Sequence, residues 1–276
     1  MHLLDQSMAL ERIGGGDESV TFAADASAEF KNLIGPFGGW SAGILTKALL
    51  EAAGEGMELV SVTTDFIAGL EEGPVRIITH CDGGGRNTQF WSARLESADG
   101  TILGNRATAV LSRRRETVSW TEHTRPDAPE PETCQRFQLP MPWTKTLEIR
   151  PAVNPPFRQS KQPMQSSAWV RIDPGRSLDP AALVTLADTP APRLFFATGK
   201  PGMLATVSMT VYVHATAEDF EAAGEDYMLI EADGARGHRG FYDQHARMWS
   251  RSGCLLATTQ QIVWYKATAE SVAATG

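Results

Sequence analysis

The sequence is short of cysteine, of long apolar runs and of basic charge, and each shortage removes a class of protein. Its 276 residues include three cysteines, Cys81, Cys134 and Cys254, odd in number and far apart. They suggest no disulfide framework and read as reduced thiols, as in a cytoplasmic protein. No run is long or apolar enough to cross a bilayer, so no membrane partner is expected. The first residues, MHLLDQSMALERIGGG, hold no basic segment followed by an apolar core, and no secretory signal is expected. A formal net charge of −8 argues against nucleic acid as a partner, because that binding neutralises phosphates with Lys and Arg. The densest basic run, SRRR at 112–115, reads as the solvated end of a strand or, alternatively, as a phosphate contact. Neither C-x-x-C nor H-E-x-x-H spacing occurs among the cysteines and six histidines, so neither a metal site nor a cofactor is expected.

What is present is an ordinary globular composition, 42% apolar and 21% charged, long enough for one large domain or two of ordinary size. The chain also repeats itself. ARLESADGTILGNRATAVL (93–111) aligns without a gap to ARMWSRSGCLLATTQQIVW (246–264), at an offset of 246 − 93 = 153. Ala93/Ala246, Arg94/Arg247, Ser97/Ser250, Gly100/Gly253, Leu103/Leu256 and Val110/Val263 are identical, and Arg86/Arg239 extends the register upstream. Each copy reads as strand, glycine turn, strand. The offset is too long for a solenoid and suits two tandem domains.

Each copy has a helical pattern ahead of its strands. GGWSAGILTKALLEAAG places Ile44, Leu45, Ala48, Leu49 and Ala52 on one face, with Gly54 to end it. LDPAALVTLADTP opens with Asp179 as cap and Pro180 at the first helical position, and Pro190 stops it. Antiparallel strands after each helix make the fold class α+β. The expected organisation is a first domain over 1–116, a linker over 117–145 centred on TRPDAPEPETCQ, and a second domain over 146–276.

FGGWSAG (37–43) matches Gly-x-Ser-x-Gly, the nucleophile elbow. The elbow needs a buried strand before it, and SAEFKNLIGPFGG has no β-branched run and holds Pro36. Ser41 therefore falls in the first turn of a helix and is not read as a nucleophile. The glycines before it have two readings. Exposed N–H groups at a helix start can hold an anion or a polarised carbonyl, or the missing side chains can admit a close neighbour. Gly38, Gly39 and Trp40 are on the first reading candidate substrate contacts.

Helix plus antiparallel sheet, duplicated, with GPFGGWSAGILTKALLEAA near the start and DGTILGNRATAVL and SGCLLATTQQIVW closing the sheets, resembles the acyl-CoA thioesterase II family. The resemblance runs from about Phe30 to Lys266 and implies a tandem double hotdog, two antiparallel sheets each wrapped around a long helix. It implies an acyl-CoA substrate and a homo-oligomer, dimer or tetramer. It also implies an Asp, a hydroxyl and a Gln in the second hotdog that activate water. These fall on Asp188, Thr206 and Gln261, with Gln260 adjacent to the last.

The residues have their own reading. Asp188 lies one turn after Val184, near the apolar stripe, where an acid must be paired or functional; otherwise it turns to solvent before Pro190. Period two puts Thr206 on a face with Ser208, Thr210 and Tyr212, lining either solvent or a site. Gln261 at the repeat offset corresponds to Thr108, and the first helix has no acid from Gly35 to Leu50, so one water-activating site per chain is expected. An acidic chain needs local cations for CoA phosphates; Arg239 and Arg193 are the candidates. A hydratase of the same fold would want a His beside the Asp, and LVTLADTPAPRLFF has none. A non-catalytic acyl-CoA binder is the alternative of another class.

Overall fold

The computed structural model describes residues 1–16, 18–157 and 162–267. The first half contains α1 (Leu3–Ser7), β1 (Glu11–Gly15), β2 (Ser19–Ala26), α2 (Gly38–Ala53), β3 (Glu58–Phe66), β4 (Gly73–Gly84), β5 (Thr88–Ser97) and β6 (Leu103–Ser112). The second contains β7 (Leu147–Val153), β8 (Ser166–Ile172), α3 (Pro180–Leu186), α4 (Arg193–Thr198), β9 (Met203–Val213), α5 (Ala217–Ala223), β10 (Met228–Asp233), β11 (Gly237–His238), β12 (Phe241–Ser250) and β13 (Leu255–Lys266). The α+β tandem hotdog is what the chain forms, and its two half-sheets join. β3 pairs with β9, with Thr63 and Thr210 in hydrogen bond across the seam at 2.9 Å. All strands thereby enter one antiparallel sheet, in the order β1-β2-β4-β5-β6-β3-β9-β13-β12-β10-β8-β7, with β11 on β12. Arg114 of the basic run fastens this seam, donating to Leu59 O on β3 and Val213 O on β9.

α2 is buried on nearly every side over its first turns, where Gly39 to Thr46 are all small or apolar, and Lys47 and Glu51 mark its more open side. β2 to β6 wrap one side and α3 covers another. Gly54 ends it, at φ 79°. The second helix is shorter than the resemblance implies. Asp179 caps it through the Ala182 N–H at 2.8 Å and Pro180 starts it, but it stops at Leu186. Pro190 and Pro192 disfavour helical backbone at the residues before them, and the Thr189 hydroxyl closes the end on Leu186 O.

β5 and β12 occupy equivalent spans of the repeat, and both turns share one bond, Gly100 N–H to Ser97 O and Gly253 N–H to Ser250 O. Beyond the turn the copies slip by one residue. Trp91 pairs with Ala109, whereas Gln244, its counterpart, pairs with Gln261. The spatial counterpart of Gln261 is thus Ala109, buried like it, while Thr108 faces outward. The gapless alignment misplaces the second strand because the first turn holds one more residue between paired strands.

The segment expected as a linker packs on the second half. The Trp169 indole N–H donates to Pro129 O at 2.7 Å, and Arg251 pairs with Glu130 and Glu132. Farther along, Trp143 stacks on Phe37, centroids 4.1 Å apart. Among the described residues, no helix is long and apolar enough to cross a membrane.

Candidate active site

A cavity of about 870 Å³ opens between the halves. Phe37 and Phe66 of the first half, Trp143 of the connecting segment, and Ile149 and Phe196 of the second supply apolar wall. Asp188, Thr206 and Gln261 all line it.

Asp188 follows the C-terminus of α3, the wrong end of that helix for an anion. Its carboxylate is instead aimed at the start of α2, where the Gly39 N–H bonds it, so the dipole of a different helix favours its charge. Gln261 Nε2 donates to Asp188 Oδ1 at 3.0 Å. Desolvation outweighs both donors and pushes the Asp188 carboxyl up to about 7. Tyr242, nearly buried beside it, has its phenol raised by the same loss of water.

The glycine pair admits close neighbours, and of the two only Gly38 lines the cavity. A Cβ on Gly38 would stand 2.7 Å from Asp188 Oδ2, and one on Gly39 would stand 2.2 Å from Thr185 O. Bare backbone lets α2 touch both the acid and the helix that carries it. Gly38→Ala is expected to displace the Asp188 carboxylate from the start of α2 with little loss of folding, read from a shifted Asp188 titration and a nearly unchanged thermal melt.

Thr206 reaches the cavity by an irregularity that period two does not anticipate. Ile262 pairs with Ser208 but Val263 pairs with Thr206, so Val207 is an extra residue in β9. This bulge turns Thr206 away from the outward face of Ser208, Thr210 and Tyr212 and onto the face of Gln261 and Val263. Of the two adjacent amides, Gln261 is buried and points inward; Gln260 is exposed.

Other expected contacts do not come to the cavity. Trp40 is fully buried and donates its indole N–H to Ser7 Oγ at 3.2 Å, a core role. Arg239 is exposed in the two-residue β11–β12 turn, where it and Gly240 both have positive φ, 46° and 86°. Arg193 is also no phosphate ligand. It is buried with its donors spent on Ser166 Oγ, Ala191 O, Ala232 O and Gln244 Oε1. Ser41 lines the cavity, yet among the described residues no histidine does.

Gln244 escaped notice in the sequence. It is 3% exposed and donates from Nε2 to Gln261 Oε1 at 3.0 Å. The signal was there: in YDQHARMW, period two sets Gln244 on the inward face with Tyr242, Ala246 and Met248, and a buried amide needs partners.

Known proteins agree with this architecture. Residues 28–113 match the acyl-CoA thioesterase N-terminal domain and residues 121–265 the acyl-CoA thioesterase C-terminal domain. A conserved protein of unknown function with a hot dog fold from Alicyclobacillus acidocaldarius is 32% identical at a TM-score of 0.90, over 98% of this chain and 100% of that one. An acyl-CoA thioesterase II from Mycobacterium marinum superposes at a TM-score of 0.74, over 96% of this chain and 98% of that one; at 14% identity it speaks for the fold alone. No curated protein matches the sequence. With both domain profiles matched in order over most of its length, the chain belongs to the acyl-CoA thioesterase family.

Proposed function

We propose that the protein hydrolyses an acyl-CoA thioester to the free acid and CoA, with Asp188 as general base. The observation that carries this reading is a carboxyl held at about 7, on a helix start and an amide, facing a largely apolar cavity. A base poised near the working pH exchanges protons most effectively with attacking water. Asp188 takes a proton from water as its oxygen adds to the thioester carbonyl, with the Thr206 hydroxyl and Gln261 positioning that water. The oxyanion is held by backbone N–H at the start of α2, where Gly38 has no partner within its own helix. Collapse of the tetrahedral adduct expels the CoA thiolate, which takes up the proton. The acyl chain lies along Phe37, Phe66 and Phe196.

Two observations weigh against the alternatives. A hydratase's histidine is missing from the described cavity wall, and Asp188, half-buried, turns into the cavity towards Gln261 and not outward before Pro190 as an inert binder's acid would. The test is release of free CoA from acyl-CoAs of short to long chain. Ser41→Ala is expected to keep turnover within about threefold, since among the described residues no base is hydrogen-bonded to that hydroxyl. Turnover is expected to rise with pH through about 7 and then level as Asp188 ionises. No CoA release from any chain length by folded protein would sink the hydrolase and favour the binder.

A further inference from the structure

Arg193 has no carboxylate within ion-pair distance among the described residues, yet it is buried at 3% exposure, where an unpaired cation is costly. Its surroundings are backbone carbonyls, Ser166, the Phe196 ring at 4.2 Å and one amide oxygen. Desolvation lowers its guanidinium to about 10, so it stays cationic at neutral pH. The amide oxygen is Gln244 Oε1, 3.1 Å from Arg193 Nε. From there the bonds run on: Gln244 Nε2 to Gln261 Oε1 at 3.0 Å, and Gln261 Nε2 to Asp188 Oδ1 at 3.0 Å.

This chain has a direction, which Arg193 dictates whether or not Asp188 is ionised; the Gln261 NH2 also meets Met209 Sδ at 3.2 Å. An amide can turn over, exchanging its oxygen and its NH2 with little change of shape. A guanidinium cannot, because it has donors and no acceptor. Facing Arg193, Gln244 must offer oxygen. Its NH2 then faces Gln261, which must offer oxygen in turn and present its own NH2 to Asp188. We propose that Arg193 and Gln244 are positioning residues that hold Gln261 in the one orientation able to donate to the Asp188 carboxylate. They touch neither water nor substrate; they act through Gln261. The inference rests on the thioesterase reading only for its consequence in catalysis, since the polarity of the chain stands on geometry.

Gln244→Glu tests it by reversing the sense. A carboxylate at 244 accepts from Arg193 and accepts again from Gln261, so Gln261 turns its oxygen to Asp188. That oxygen can bond only a protonated carboxyl, and Asp188 must hold its proton to higher pH. The other titratable groups facing the chain are Tyr242 on β12, which interacts with both Asp188 and Arg193, and Asp233 on β10, which interacts with Arg193. The first turn of α2 brings no acid.

The experiment is a ¹³C NMR titration of the intact protein with labelled Asp carboxyls, the Asp188 signal assigned by its loss in Asp188→Asn. Gln244→Glu is expected to raise the Asp188 midpoint by about one unit or more. In a Gln261→Met background the same substitution should leave it nearly unmoved, because the link is cut. Gln244→Met releases Gln261 without reversing it and should raise the midpoint by less; it decides the matter if the Glu variant does not fold. A shift that survives in the Gln261→Met background would be charge acting through space and would overturn the relay, as would no shift in either Gln244 variant. Absence of CoA release would strike the proposed activity and leave this titration to judge the relay by itself.

Discussion

Asp188→Asn is expected to abolish most turnover while making the protein harder to unfold. The loss follows from removing the proposed base, typically worth roughly 10²–10⁴-fold. The gain follows from linkage. The Asp188 carboxyl has an ordinary value of 3.8 and stands at about 7 in the folded chain. Between those values the native state holds a proton that the unfolded chain releases, so stability falls as pH rises. The stabilising contribution of the protonated acid is fully present below 3.8 and is lost as the pH rises through about 7. Above that, ionised Asp188 costs on the order of 2–4 kcal/mol. Asn carries no such cost and still accepts from Gln261, although its NH2 is a poor match for the Gly39 N–H. A net gain of about 1–3 kcal/mol at pH 8 is expected, a rise in Tm of roughly 2–5 °C. The gain should shrink as pH falls towards 3.8. CoA release and melts at two pH values check both halves. An unchanged melt at pH 8 would mean that the acid is hydrated, and retained turnover would mean that another group is the base.

Gly39→Ala is expected to be among the most damaging single-methyl additions in the chain. The new Cβ would stand 2.2 Å from the Thr185 carbonyl oxygen and 2.5 Å from the Phe37 ring. A Cβ on Gly43, one turn on, would stand 2.2 Å from Thr185 Oγ1 and 3.0 Å from Ala181 O. α2 and α3 therefore meet backbone to backbone, and a carbonyl oxygen cannot swing aside as a side-chain tip can. Overpacking of this kind costs about 3 kcal/mol, or roughly 5 °C in Tm for a chain of this size. Turnover should fall as well, because the Gly39 N–H that bonds Asp188 moves with the helix. Gly14→Ala is the control: a Cβ there meets nothing within 4 Å, and the melt should match wild type. A Gly39→Ala protein melting within a degree or so of wild type would show that the two helices separate freely.

Much of the architecture was legible in the residues. Hairpin turns at a constant offset announced a duplication, and the Asp179 cap, Pro180 and Gly54 marked helix ends that the structure keeps. These signals are local: a cap or a left-handed glycine acts on its own turn of chain. Asp188, Thr206 and Gln261 followed from the resemblance, and the fold brings them to one cavity.

What only the tertiary structure decided depends on pairing between distant strands. The bulge at Val207 overrides period two and faces Thr206 inward, and the one-residue slip past Gly100 makes Ala109, not Thr108, the counterpart of Gln261. Arg193, Trp40 and Arg239 were read by residue type, but burial and turn geometry assign them other work. The sequence by itself determined the duplicated fold and the chemical types at its centre. The raised Asp188 carboxyl belongs to the assembled molecule, because dehydration, a second helix's N-terminus and a correctly turned amide come from segments that meet only when the halves close together.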